Sequence, residues 1–178
     1  MQPEIQLFSG GYFNYLKPEE CDFKIDDVAH SLSHQCRFSG HVREFYSVAQ
    51  HSCHVADSLR GLGRTILYAG LAHDMHEAYV LDIPSPMKLV LPEYCLLEAR
   101  VQAVVCKAFC VDLDVVKSDR IKQADLEALA TEHRDLLGPA DDGPWDCIND
   151  VTPWDFKIEA WSPLKARHEF LQRFALLQ

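Results

Sequence analysis

An all-α bundle carrying one small N-terminal hairpin is predicted for this chain by two features: apolar residues recur at helical spacing through most of its length, and extended alternation is confined to the first residues. With 178 residues, 48% of them hydrophobic, the chain has the size of one ordinary domain able to bury a core without disulfide staples. Its seven cysteines are odd in number and contain no C-x-x-C pair, so they are expected to be reduced, buried thiols.

The elements follow in chain order. The stretch IQLFSGGYFNYL alternates around Ser9-Gly10-Gly11, as in a short hairpin whose turn needs positive φ. Asp26 to about Gln35 places Val28, Ala29 and Leu32 on one stripe behind two acids that complement a helix dipole. The next segment, CRFSGHVREFYS, lacks periodicity and is expected to be irregular; such segments often line sites. From Ser47 to about Leu62 the helical repeat returns, with Ser47 as N-cap and Gly61 and Gly63 at the end.

Arg64 to Tyr79 begins almost wholly apolar and then turns charged (HDMHEAY), the pattern of a buried central helix that delivers polar groups into an interior site. The two prolines of DIPSPMK end it. Glu93 to Cys110 and Val115 to about Leu137 read as long helices, and Ser162-Pro163 opens a last one. Between these lies the polar connection GPADDGPWDCINDVTPWDF.

Charge narrows the partners. A net charge of -10 argues against a broad grip on a nucleic-acid polymer, which needs many Lys and Arg, but a free nucleotide can be held by a metal and a few cations. No run approaches the ~18 apolar residues of a membrane span, and MQPEIQLFSGG lacks the marks of a secretory leader, so a soluble cytoplasmic protein is expected.

Four residues stand out chemically: His51 within one helix, the adjacent pair His73-Asp74 at the polar end of the apolar helix, and Asp125 on a later helix. Two imidazoles and two carboxylates suit a first-row divalent ion (Mn, Co, Fe, Mg or Zn) and leave positions open for water and phosphate. Glu77 follows His73 by four residues and Asp74 by three, so all three can face one side. His30 and His34 form another i, i+4 pair but have no accompanying carboxylate, and His34 and His41 flank Arg37. His54 and His76 each lie three residues past an expected ligand, where indirect or surface roles are expected. Phe45, Tyr46 and Tyr79 read as core, and Phe38 as the exception, a ring expected to meet substrate.

The elements R-F (37–38), Y-S-V-A-Q-H-S (46–52), L-A-H-D-M-H-E-A-Y (71–79), D-I-P-S-P-M-K (82–88) and K-Q-A-D (122–125) occur in an order that resembles the HD-domain phosphohydrolases, specifically the small branch containing bacterial 5'-deoxynucleotidases. The short interval from His73-Asp74 to Asp125 is similar to that of compact phage dATP triphosphohydrolases. This resemblance covers about residues 26 to 130 and implies an HD-domain helical bundle, homo-oligomeric assembly, and a divalent metal held by His51, His73, Asp74 and Asp125. It further implies that Glu77 orients or activates water, that Asp82 sits near the sugar or scissile phosphate, and that Arg37 and Lys88 grip phosphate oxygens. Phe38 stands where the family often carries Trp, which puts base and sugar selectivity in question.

The expected activity is therefore nucleotide phosphohydrolysis, with dATP triphosphohydrolase ahead of 5'-deoxynucleotidase. A non-catalytic nucleotide sensor is the rival from another class, disfavoured by the retained Glu77. A cyclic-dinucleotide phosphodiesterase is disfavoured by the absence of H-D-x-G-K and its G-Y-P partner.

Overall fold

The computed structural model describes residues 2–138 and 145–178. Part of the polar connection, 139–144, therefore lies outside the described residues. The described chain is mostly helical, with one two-stranded sheet. Strands β1 (Glu4–Gln6) and β2 (Tyr12–Asn14) pair antiparallel with Ile5 opposite Phe13. Gly10, at φ 87°, lets the turn close, with Leu7 donating to the Gly11 carbonyl at 2.8 Å. Phe13 is fully buried against Tyr79, and Tyr15 donates its hydroxyl to the Tyr79 carbonyl at 3.0 Å. The hairpin thus braces the segment that carries Glu77.

Helices α1 (Ile25–His34) and α2 (Val48–Ser58) fall close to their expected positions. The Ser47 side chain accepts from Gln50 N, the capping bond that satisfies one otherwise orphaned donor of α2. Helix α3 (Arg64–Ala72) packs on α2, and α9 (Pro163–Leu177) lies against α1, α2 and α3. Ser162 caps α9 by accepting from Lys165 N. The contact between α2 and α3 is close at Gly70, where an added Cβ would stand 2.5 Å from Leu59 Cδ1. Because Leu59 is fully buried and has little room to retreat, Gly70→Ala is expected to cost about 1–3 kcal/mol in urea unfolding.

Two expected helices are broken. The single helix over 64–79 is instead α3, a turn over 73–76, and the short α4 (Glu77–Val80). Through the turn the bonds tighten to i→i+3 spacing, with Met75 N to Ala72 O at 3.1 Å and Glu77 N to Asp74 O at 3.0 Å. Likewise, the helix expected from Val115 becomes α7 (Leu113–Val116), with Asp112 as its cap, and α8 (Asp119–Leu136). Between α4 and these lie α5 (Ser85–Lys88) and α6 (Pro92–Ala108).

The cysteines are free, but only Cys53 and Cys106 are buried; Cys110 and Cys147 are exposed and the other three partly so. The expectation of seven buried thiols fails at five positions; at one of them, Cys110, the chain leaves α6 with φ 55° and the residue is exposed. Of the aromatic group, Tyr46 and Tyr79 are core, whereas Phe45 is exposed. Among the described residues no helix is long and apolar enough to cross a membrane.

His54 joins the C-terminal segment to α2. It sits among Tyr46, Phe156 and Trp161, while Gln50 Nε2 lies 3.2 Å from His54 Nε2. Gln50 also bonds the Glu159 carbonyl and Trp161 N, which fixes its amide nitrogen toward the ring and makes the imidazole an acceptor. Burial lowers its pKa to about 4. The unfolded chain therefore takes up a proton between about pH 6.5 and 4 that the folded chain refuses, and stability falls as pH drops through that window, by up to about 3 kcal/mol. Urea unfolding at pH 7 and pH 4.5 should show a smaller pH dependence in His54→Gln than in the unsubstituted protein.

Candidate metal centre

The four expected ligands come from three elements: His51 from the middle of α2, His73 and Asp74 from the turn after α3, and Asp125 from α8. The tightened turn gives His73 and Asp74 their common aim. Their donor atoms converge. His51 Nε2 lies 3.2 Å from His73 Nε2, 3.5 Å from Asp74 Oδ2 and 3.1 Å from Asp125 Oδ1. His73 Nε2 lies 3.1 Å from Asp74 Oδ2 and 3.8 Å from Asp125 Oδ1. Both histidines are buried, whereas the Asp125 side chain retains 43% exposure and leaves the centre open on its side.

The partners on the far side of each ring set the tautomers. His51 Nδ1 meets Glu132 Oε1 at 2.7 Å, and His73 Nδ1 meets the Gly70 carbonyl at 2.8 Å. Each partner is an acceptor, so each Nδ1 carries the proton and each Nε2 directs a lone pair inward. Two lone pairs facing each other at 3.2 Å, beside two carboxylates, call for a positive charge between them. A divalent ion fits this donor set, and the carboxylate and carbonyl behind the rings are the partners that orient metal-binding imidazoles. A proton meets the same demand: burial disfavours the His73 imidazolium, but Asp74 and Asp125 outweigh burial and raise its pKa well above the ordinary value. Burial likewise raises the two aspartates, and the imidazoles more than offset it, leaving both lowered.

Arg37 borders the centre. The irregular segment folds back through a bridge between Cys36 and Ser47, with Arg37 N donating to the Tyr46 carbonyl at 2.9 Å. Phe38 and Ser39 then adopt left-handed backbone angles, φ 56° and 51°. The guanidinium is buried, donating from Nε and NH2 to Glu132 Oε2, both at 3.1 Å. Its NH1 faces Asp82 Oδ2 at 3.8 Å and Asp74 Oδ2 at 4.0 Å. The partly exposed Phe38 ring lies 5.4 Å from the guanidinium carbon.

Glu77 is buried, and its Oε2 has no hydrogen-bond partner. Burial, then the nearby Asp74 and Asp82, raises its pKa well above the ordinary carboxyl value. Asp82 follows Leu81, whose φ of 74° turns the chain out of α4, and Asp82 N donates to Gln35 Oε1 at 3.1 Å. Lys88 does not stand free: its ammonium is 2.6 Å from Glu98 Oε1. His30 and His34 stack face to face with centroids 4.2 Å apart, so their in-plane lone pairs run side by side and do not converge on an ion.

Sequence reasoning missed Glu132 and Gln35. Glu132, fully buried, joins His51 to Arg37, one oxygen to each. It lies seven residues past Asp125, two helical turns along the same face of α8, which was the available signal. Gln35 ties the Glu77 carbonyl to Asp82 N, a long-range role with no local signature.

No family model matches the chain. It is 39% identical over 171 residues to the uncharacterized protein YfdR of Escherichia coli, covering 96% of this chain and 93% of that protein. It is also 30% identical over 142 residues to an uncharacterized protein of Rhodobacter capsulatus, covering 75% of this chain and 72% of its relative. The chain belongs to the protein family of YfdR.

Proposed function

We propose that this protein is a metal-dependent phosphohydrolase of the HD type that cleaves a nucleotide, with dATP, as a triphosphate, its leading substrate. The observation that supports this reading most is the pair of inward Nε2 atoms 3.2 Å apart, flanked by Asp74 and Asp125 and bordered by Arg37. A divalent ion held by His51, His73, Asp74 and Asp125 supplies Lewis-acid polarisation of a phosphoryl oxygen and acidifies water.

The chain's own residues supply the rest. Arg37, charged and held rigid by Glu132, presents NH1 toward Asp82 and Asp74 at the edge of the centre, a position suited to anchoring a nonbridging phosphate oxygen. Glu77, with its raised proton affinity, suits the acceptance of a proton from an attacking water. Asp82, its pKa raised by burial and its carboxylate beside Arg37, suits holding a proton near the leaving group. In the balanced reaction the water oxygen bonds to the α-phosphorus and the bond from phosphorus to the 5'-oxygen breaks. One proton passes to the departing 5'-oxygen, and deoxynucleoside and triphosphate leave. The same groups acting on a deoxynucleoside monophosphate release phosphate.

Chromatography of the products formed from each common ribo- and deoxynucleotide, as mono-, di- and triphosphate with added Mn, Co, Mg or Zn, tests the proposal. Triphosphate from dATP is expected; phosphate from monophosphates would transfer the activity to the 5'-deoxynucleotidases, and silence across the panel would refute hydrolysis. Glu77→Ala is expected to retain the ion at the four-ligand centre while losing about 10²- to 10⁴-fold in kcat. An unchanged kcat would remove Glu77 from the chemistry.

A further inference from the structure

Next to the four-ligand centre, α4, α6 and the turn before α4 bring together His76, Glu77 and Glu98. One possible ligand atom from each lies within 4.8 Å of the others. His76 and Glu77 are buried, and each has a buried polar atom without a hydrogen-bond partner, His76 Nδ1 and Glu77 Oε2. Buried polar atoms are rarely left so, and Glu77 Oε2 points to a missing partner on the side where the Nε2 of His76 faces Glu98; His76 Nδ1 lies on the other edge of its ring. His76 Nε2 stands 3.7 Å from Glu98 Oε1, too far for a direct hydrogen bond. That spacing suits two donors sharing one ion, since ligands each about 2.1 Å from a metal stand about 3 to 4 Å apart.

The position already attracts positive charge. Lys88 places its ammonium 2.6 Å from Glu98 Oε1, and Tyr94 donates its hydroxyl to the same oxygen at 3.2 Å. The ammonium of Lys88 is drawn there by Glu98 first, and by Glu77 and Asp74 beyond it, the same negative charge that would attract a divalent ion. We propose that His76, Glu77 and Glu98 form a second divalent-cation site, at which the ion takes the place of the Lys88 ammonium on Glu98 and uses one carboxylate oxygen of Glu77, leaving the other to meet the attacking water. One imidazole and two carboxylates select the same class of ion as the first centre, Mn, Co, Mg or Zn. No residue of this set belongs to the four-ligand group, so the two sites are separable by substitution.

Equilibrium dialysis of the full chain, stripped of metal and then loaded with Mn²⁺, followed by elemental analysis, tests the assignment. Two ions per chain are expected. Glu98→Gln should keep one and Asp74→Ala should keep the other. Lys88→Met, which removes the competing ammonium without touching a ligand, should tighten the second ion by about tenfold. One ion per chain, undiminished in Glu98→Gln, would overturn the second site while leaving the first intact. One ion lost in Glu98→Gln but kept in Asp74→Ala would support the second site and count against the first. Unaltered Mn²⁺ affinity in Lys88→Met would overturn the displacement of Lys88, independently of whether Glu98→Gln folds.

Discussion

Asp74→Ala is expected to fold and to lose nucleotide turnover to background. Asp74 lies in a crowded acidic neighbourhood: its Oδ2 is within 3.5 Å of both Nε2 atoms, and Asp125, Glu77 and Asp82 carry like charge close by. Removing it relieves repulsion among those acids but also forfeits the attraction of His73 and His51 that holds its pKa lowered, so a folded protein with a modestly lowered melting temperature is expected. The same change removes one of four ligands and half of the carboxylate charge at the centre, which an open divalent-ion site cannot lose without loss of affinity. Chromatographic product analysis beside a melting curve separates the two effects. Normal turnover in a folded Asp74→Ala protein would remove this residue from the chemistry.

Glu132→Ala is expected to damage both stability and metal binding. The carboxylate is fully buried and serves two cationic or donor groups, His51 Nδ1 at 2.7 Å and Arg37 Nε at 3.1 Å. Burial raises its pKa, but Arg37 and His51 outweigh burial and hold it lowered, so it is charged at neutral pH. Truncation removes the nearest counter-charge of the buried Arg37 guanidinium and leaves only the looser contacts to Asp82 and Asp74 at 3.8 and 4.0 Å, a change that costs up to about 3–5 kcal/mol. It also frees the His51 ring to rotate or change tautomer, for which a loss of about 10- to 100-fold in metal affinity is expected. Glu132→Gln keeps the shape and an acceptor for His51 while removing the charge that faces Arg37, so it should recover metal affinity better than stability. A destabilisation below about 1 kcal/mol in Glu132→Ala, with unchanged metal affinity, would show that the bridge is dispensable.

Where the determinants of structure are local, they are readable in the sequence. Ser47 and Ser162 mark helix starts because a side-chain cap acts within three residues, and Ser9-Gly10-Gly11 marks the hairpin because positive φ favours glycine. The break at 73–76 was not readable, since HDMHEAY continues a helical pattern and the shift to i→i+3 bonding accompanies the burial of His73 and Met75 in the interior. The four candidate ligands were readable as an ordered set of residue types, and the fold brings their donor atoms together. Their supports were not. Glu132 looks like any helix acid until α8 is laid against α2, and the Lys88–Glu98 pair depends on how α5 turns back onto α6.

On the proposed function, His51, His73, Asp74 and Asp125 hold an ion without which no nucleotide is cleaved. Titrating Mn²⁺ or Co²⁺ into metal-stripped protein with dATP, while following triphosphate release by chromatography, tests it most directly. Release that is absent without metal and rises in step with occupancy of the four-ligand centre is the expected result. Cleavage that is indifferent to metal, or metal binding that never yields deoxyadenosine and triphosphate or any other nucleotide product, would contradict it.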